Sequence, residues 1–154
     1  MTVRQQIYQL PQNNYIQVLI LDGNSFIEEG IHILAGFMHL CPGLVCLHTS
    51  NCNITSDNLI WLLDELTRLK SSSPELCNNL KGWCLTNNQL DDRSVSVLMD
   101  GNCLSSLFPE LGTGHNNTIL ESLQLYGNSV SNEMMEKVEK EMRRRRAHMS
   151  CSVS

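Results

Sequence analysis

The sequence predicts an α/β fold in which four short parallel strands alternate with helices in a single domain. Two observations lead to this prediction. The stretch "VLILDGNSF" at residues 18–26 alternates apolar and other residues, as a half-buried strand does, and a segment with helical spacing follows it. The same pattern then returns three more times along the chain, which is typical of a repeat architecture. A chain of 154 residues, 42% of them hydrophobic, is long enough for one domain with a core.

The repeat consists of seven positions that recur in four registers. They are Ile16, Leu19, Leu21, Asn24, Phe26, Gly30 and Leu34; Leu44, Leu47, Thr49, Cys52, Ile54, Asn58 and Leu62; Leu80, Trp83, Leu85, Asn88, Leu90, Ser94 and Leu98; and Leu120, Leu123, Leu125, Asn128, Val130, Met134 and Val138. The first positions are 28, 36 and 40 residues apart. Because each register begins as a strand and continues as a helix, successive strands are expected to be parallel.

Each helix is expected to begin soon after its strand. In the second unit Thr55, Ser56 or Asp57 can cap the helix, and in the fourth unit Ser131 can do so. The apolar residues expected on the buried stripes are Leu59, Leu62, Leu63 and Leu66 in the second unit and Met134, Val138 and Met142 in the fourth. Residues 71–79 and 108–118 are rich in Pro, Ser, Gly and Asn, so the extra residues of the longer units are placed in loops between helix and strand, on one rim. These rim loops are expected to contribute to partner binding together with the strands.

These registers resemble the leucine-rich repeat motif, L-x-x-L-x-L-x-x-(N/C)-x-L, and the long unit with G-x-x-x-L is similar to the ribonuclease-inhibitor-like subclass. Thr49 stands where leucine is usual, and Trp83 replaces a smaller leucine. The resemblance covers residues 16–148 and implies a leucine-rich repeat solenoid. That solenoid would be a short arc of units starting near 16, 44, 80 and 120, with strands on the concave side and helices on the convex side.

The two ends of the chain lie outside this repeat domain. Residues 1–15 are expected to form an N-terminal segment and partial cap, and residues 149–154 a flexible tail. The side chains expected to cover the first strand are Ile7, Tyr8, Leu10 and Tyr15. The alternative is that the chain is the C-terminal part of a longer array, which would supply that cover.

One position of each register is polar or a thiol although it is expected to face inward. These residues are Asn24, Cys52, Asn88 and Asn128. A buried amide is costly unless it is paired. The recurrence therefore predicts a structural ladder in which each of these side chains satisfies backbone groups where the chain leaves its strand.

The residues between the core leucines are expected to point to the opposite side of the sheet, which we call the open face. They are Val18, Ile20 and Asp22; Cys46, His48 and Ser50; Gly82, Cys84 and Thr86; and Ser122, Gln124 and Tyr126. Small polar and apolar groups with little charge suit a protein or peptide partner better than a polyanion. The alternative is that four strands offer too little surface to bind tightly, since specific interfaces bury roughly 800 Å² per partner.

Metal binding and catalysis are both disfavoured. Cys46, His48 and Cys84 could converge as zinc ligands, but the chain lacks a C-x-x-C pair and an evident fourth ligand, so free cysteines are preferred. The sequence supplies no oxyanion hole and no Gly-rich phosphate loop, because "GTG" at residues 112–114 lacks the flanking lysine. We therefore expect no catalytic residues, no cofactor and no metal.

Charge is distributed unevenly along the chain. Residues 1–132 carry five basic and twelve acidic residues, a net charge of −7, whereas residues 133–154 carry a net charge of +2. The acidic body argues against nucleic-acid binding. The only basic cluster is Arg143, Arg144, Arg145 and Arg146, on a helix whose Glu and Lys or Arg residues are spaced to pair at i,i+4. This helix is expected to cap the array, although an arginine run can also serve as a nuclear address.

The expected location follows from segments that the sequence lacks. The N-terminus lacks the apolar core of a secretory signal and no stretch is apolar over the ~18 residues that span a membrane, so the chain is expected to be cytoplasmic.

The family resemblance implies a non-enzymatic protein-interaction scaffold. Proteins that share this scaffold but differ in partner are ribonuclease inhibitor, NOD-like receptor repeats, tropomodulin's actin-binding domain and the Ran GTPase-activating protein. One alternative is a GTPase-activating or other enzyme-regulating protein, for which Arg93 is a poor candidate. The other is a C-terminal fragment of a longer NOD-like-receptor-type protein without binding activity of its own.

Overall fold

A computed structural model describes residues 6–27, 29–109 and 120–150, and side chains as far as Ala147. Its sheet has four strands, β1 (Val18–Ile20), β2 (Cys46–His48), β3 (Gly82–Cys84) and β4 (Ser122–Gln124), which pair in sequence order and are all parallel. Five helices lie wholly within the described residues: α1 (Glu29–Leu40), α2 (Ser56–Lys70), α3 (Asp92–Leu98), α4 (Gly101–Leu107) and α5 (Asn132–Ser150). The prediction of an α/β fold with parallel strands alternating with helices is confirmed.

The core lies between the sheet and the helices. The middle residues of β2 and β3, Leu47 and Trp83, face this core and are fully buried, while Leu19 and Leu123 at the two edge strands are partly buried. Helix α2 packs against α1 on one side and against α3 and α4 on the other. Because the middle residue of every strand packs on the core side, the first and last residues of the strands lie on the opposite face of the sheet.

Local sequence explains where the helices begin. Of the three candidate caps in the second unit, Thr55 caps α2, and it forms a capping box in which its side chain and that of Asn58 each accept from the other's backbone N–H. The Ser131 hydroxyl accepts from the backbone N–H of Met134 at 3.2 Å, as predicted for α5. These caps satisfy backbone donors that the first helical turn leaves free.

The third unit differs from the expectation of a single helix. Helix α3 ends at Leu98, and Asp100 caps a second short helix, α4, by accepting from the backbone N–H of Asn102 at 2.9 Å. The short polar sequence "DGN" at residues 100–102 therefore interrupts the helical pattern. The interruption turns the chain and lets α4 pack against α2.

Parallel pairing continues past the ends of the strands, where one residue of each unit adopts the left-handed backbone conformation. The backbone φ is 78° at Gly23, 55° at Asn51, 53° at Asn87 and 72° at Gly127, and each of these residues directly precedes the Asn or Cys of its register. The backbone N–H of each of the first three donates to a carbonyl of the following unit at 2.7–3.0 Å. Gly and Asn are the residues that tolerate this conformation. Their recurrence at this position is therefore a sequence signal for the turn that our sequence analysis missed.

The N-terminal segment does not cover the first strand as expected. Ile7 packs against Gly36 of α1, and the Tyr8 hydroxyl donates to Glu65 Oε1 of α2 at 2.9 Å. Leu10 and Tyr15 are instead exposed. Ile7 and Tyr8 lie against the helices because Gly36 allows a close approach there, and residues 6–15, the described part of the segment, do not give the outer side of β1 the predicted apolar cover.

The last helix runs to Ser150, and its buried side extends beyond Met142, the last apolar residue of the predicted stripe. Three of the predicted i,i+4 ion pairs are present, among them Glu139 with Arg143 at 2.8 Å and Glu141 with Arg145 at 3.0 Å. Arg145 is only 2% exposed and donates from Nη1 to the carbonyl oxygen of Phe108 at 3.1 Å. The arginine run is therefore partly structural.

The two departures from the repeat motif, Thr49 and Trp83, lie in contact. The indole Nε1 of Trp83 donates to Thr49 Oγ1 at 3.1 Å, and that hydroxyl donates to the carbonyl of Cys84 at 3.2 Å. Both side chains are almost completely buried. A threonine where leucine is usual makes room for the indole and also supplies its hydrogen-bond acceptor, so each departure compensates the other.

We predict strong energetic coupling between Thr49→Leu and Trp83→Leu. Each single substitution should lower the free energy of unfolding, Thr49→Leu by ~1–3 kcal/mol because the buried indole N–H loses its acceptor, and Trp83→Leu by ~3 kcal/mol because it opens a cavity. The double variant restores the usual leucines and should be less destabilised than the sum by about 1 kcal/mol or more. Urea unfolding of the four proteins measures this coupling, and additive effects would contradict it.

Candidate functional site

The strand register arranges the open face in three columns across the four strands. The columns are Val18, Cys46, Gly82 and Ser122; Ile20, His48, Cys84 and Gln124; and Asp22, Ser50, Thr86 and Tyr126. The strands of one sheet lie about 4.8 Å apart, so neighbours within a column are in side-chain contact range. The predicted residues therefore form one continuous surface of small extent.

The exposed large apolar side chains of the open face lie at its two edges. Val18 and Ile20 on β1 are 56% and 65% exposed, and Tyr126, just after β4, is 69% exposed. Large apolar side chains left in water at an unpaired sheet edge are a common feature of binding surfaces. These three residues provide most of the apolar area that a partner could bury here.

The centre of the open face is a hydrogen-bonded polar cluster around Cys84. Its thiol donates to Gln124 Oε1 at 3.2 Å and lies 3.0 Å from Ser50 Oγ and 3.3 Å from Thr86 Oγ1. These contacts link β2, β3 and β4 across the surface. The cluster holds its own side chains in place, so a partner meets a pre-formed polar patch rather than mobile groups.

Ser50 is a correction to the predicted binding surface. It is only 8% exposed, because Asp22 Oδ1 accepts from its backbone N–H at 2.7 Å while its hydroxyl faces Cys84. The other oxygen of Asp22 lies 4.0 Å from Nδ1 of His48. Asp22 and His48 remain accessible to a partner. Ser50 is buried beneath them and holds the Asp22 carboxylate through its backbone N–H.

The inward ladder is formed by hydrogen bonds that join each unit to the one before it. Asn88 is buried and donates from Nδ2 to the carbonyls of Thr49 at 2.8 Å and Leu85 at 3.0 Å, while Oδ1 accepts from the N–H groups of Cys52 and Ile54. Asn128 repeats part of this pattern one unit later. The ladder positions the last residues of the open face by fixing the turns that follow the strands.

The first and second ladder positions differ from the other two. Asn24 is exposed, a correction to its expected inward place, and its Nδ2 donates to the carbonyl of Leu21 within its own turn at 2.8 Å. Among the described residues no strand precedes β1, so Asn24 has no earlier unit to join. Cys52 is buried and its thiol donates to the carbonyls of Leu21 and Ser50, both at 3.2 Å.

The cysteines of the described residues are free thiols, and several are shielded from solvent. Burial raises the pKa of Cys52 and Cys41, and it raises the pKa of Cys77 to about 12. Within the part of the chain that the structure describes, no three His, Cys, Asp or Glu side chains are grouped to hold a metal ion. Cys46, His48 and Cys84 occupy neighbouring open-face positions without forming such a group.

No described helix is both long and apolar enough to cross a membrane.

Comparison with known proteins finds similarity in structure but not in sequence. No protein-family model and no curated protein sequence matches the chain. Two solved structures cover nearly all of it: the tropomodulin C-terminal domain of Caenorhabditis elegans, at 12% identity and a TM-score of 0.56, and leiomodin-1 Actin-Binding Site 2, at 9% identity and a TM-score of 0.53. Each alignment covers 98% of this chain, and 98% and 95% of those chains respectively. The neighbours are leucine-rich-repeat-like, and the likeness is one of fold.

Proposed function

We propose that the chain is a leucine-rich repeat protein, a short solenoid of the ribonuclease-inhibitor-like type, that binds a protein partner through its open face. Parallel strands in sequence order, helices on one side and a ladder of Asn and Cys side chains support this assignment. The protein would act as a non-enzymatic scaffold without a cofactor, and its location would be the cytoplasm. Because Arg145 is buried, the arginine run is better explained as part of the capping helix than as a nuclear address.

The observation that carries the binding proposal is the exposure of Val18 and Ile20 on the edge strand of the open face. Apolar side chains in this position are stabilised when a partner removes them from water, by roughly 25 cal/mol per Å² of apolar surface buried. Polar groups beside them, Asp22 and His48, can add hydrogen bonds that orient the partner. A mixed surface of this kind fits a folded protein or peptide.

Actin is the first partner to test, because one of the similar solved structures is an actin-binding site of leiomodin-1. A regulator of GTP hydrolysis is less well supported, since an arginine that acts on a nucleotide must be available. Arg93 is exposed but lies at the start of α3 in a surface ion pair with Asp57 at 2.9 Å, and nothing beside it marks a nucleotide site among the described residues. Stimulated GTP hydrolysis by a small GTPase would overturn the non-enzymatic assignment.

The test compares two substitutions of similar chemistry at different places. Wild type should sediment with filamentous actin or bind monomeric actin, and the Val18→Ser/Ile20→Ser variant should bind about tenfold more weakly because it loses the apolar contacts. Ile27→Ser is the matched control, since Ile27 is 61% exposed but lies off the open face. It should bind like wild type.

Two outcomes would contradict this proposal in different ways. Failure of the wild type to bind either form of actin would overturn actin as the partner. If both variants bound actin as tightly as wild type, the open face would not be the binding surface.

A further inference from the structure

The helical side of the molecule carries a groove that the proposed function does not use. It lies between α2, α3 and α4 and has a volume of about 580 Å³. Leu63 and Val97 contribute the apolar part of its lining, and Cys103 lies partly buried within it. The groove exists because Asp100 ends the third-unit helix early and starts α4 in a new direction.

Two carboxylates border this groove. Asp64 on α2 and Asp100 before α4 both line it and are exposed, and among the described residues neither forms an ion pair. Burial, and after it the negative charges of Asp100 and Asp64, raise the pKa of the Cys103 thiol to about 11. Both carboxylates line the groove beside this thiol. A negative potential therefore converges on an apolar cleft.

We propose that this groove binds a basic amphipathic segment of a protein partner. Apolar side chains of the segment would lie on Val97 and Cys103, which are partly exposed above the buried Leu63, and a Lys or Arg would reach Asp64 or Asp100 at the border of the groove. The long methylene chain of either residue can cover apolar surface while its charged end reaches a carboxylate. Nucleic acids and anionic lipids carry the wrong charge for two exposed carboxylates, so the complementary ligand is a cationic peptide.

This surface is separate from the open face, since every residue that lines it lies on or between helices, whereas the open face lies on the other side of the sheet. The fold thus offers two independent contacts, one on each side.

The experiment uses the full chain and a short fluorescent peptide of Leu, Ala and Arg with an amphipathic pattern, measured by anisotropy. Wild type should bind this peptide, and the Asp64→Asn/Asp100→Asn variant should bind it about tenfold more weakly, because it loses charge-assisted hydrogen bonds. Asparagine caps helices about as well as aspartate, so α4 keeps its cap in this variant. Raising the salt concentration should also weaken the binding, since these carboxylates are exposed.

Three further proteins and peptides control this experiment. Glu29→Gln/Glu136→Gln removes two exposed carboxylates elsewhere, and Val18→Ser/Ile20→Ser alters the open face; both should bind the peptide like wild type. A peptide with Gln in place of Arg should bind weakly. Equal binding by the Asp64→Asn/Asp100→Asn variant, equal binding of the Gln peptide, or no binding by wild type would each overturn the proposal.

Discussion

Replacing Asn88 with alanine should lower the free energy of unfolding by about 3–5 kcal/mol or prevent folding, the largest effect expected of any single substitution on the polar ladder. Its amide joins two units: Oδ1 accepts from the N–H groups of Cys52 and Ile54, both at 3.0 Å, and Nδ2 donates to carbonyls on both sides. Alanine would leave the N–H groups of Cys52 and Ile54 and the carbonyl of Thr49 without this partner, and each loss costs about 1–3 kcal/mol before the structure relaxes. The carbonyl of Leu85 would keep the hydrogen bond that Asn128 donates to it. Urea unfolding followed by circular dichroism measures the change.

The same substitution at the other asparagines of the ladder provides the controls. Asn128→Ala should have a smaller effect, since this side chain is only partly buried and makes fewer bonds. Asn24→Ala should change the free energy of unfolding by about 0.5 kcal/mol or less, because Asn24 is exposed and bonds within its own turn. Equal effects at Asn24 and Asn88 would contradict the view that the ladder stabilises the fold by joining units.

Most of the architecture was predictable because it depends on local spacing. Alternating apolar residues followed by residues at helical spacing define a strand and a helix wherever they occur, and repeating the pair predicts parallel strands in sequence order. The interruption at Asp100 was missed because a short polar sequence disfavours a continuous helix only weakly. Whether the helix breaks there depends on the packing of α4 against α2, which the sequence does not show. The groove that follows from it was therefore also missed.

The candidate site was predictable in its membership but not in its contacts. Strand periodicity places Val18, Ile20 and Tyr126 on the open face, where they are exposed. It does not reveal that Ser50 is buried by Asp22 and Cys84, because those contacts join residues 28 and 34 positions away. The pairing of Thr49 with Trp83 was missed for the same reason, because each residue considered by itself is only an irregularity in the repeat motif.

Position in sequence also does not reveal which of the four arginines of α5 are exposed and which are buried. Arg143 pairs with Glu139 in water, whereas Arg145, two residues later, is buried against Phe108. Glu141 pairs with Arg144 and Arg145, and hydrogen bonds from Arg144 and then from Arg145 lower its pKa from 4.5 to about 2. A lowered carboxyl pKa stabilises the fold above pH 4.5, and this contribution is lost as the pH falls from 4.5 towards 2.

Arg145→Met should lower the free energy of unfolding by about 2–4 kcal/mol, because the carbonyl of Phe108 loses its donor and Glu141 loses one of its two cationic partners. Methionine has a similar length, so the loss reflects the polar contacts more than packing. Arg143→Met is the matched control: it removes an exposed ion pair from the same helix and should cost about 0.5 kcal/mol or less. Thermal and urea unfolding of both variants at neutral pH measure this difference. If Arg145→Met were as stable as Arg143→Met, the four arginines would be equivalent surface charges, and the capping role assigned to α5 would lose its main support.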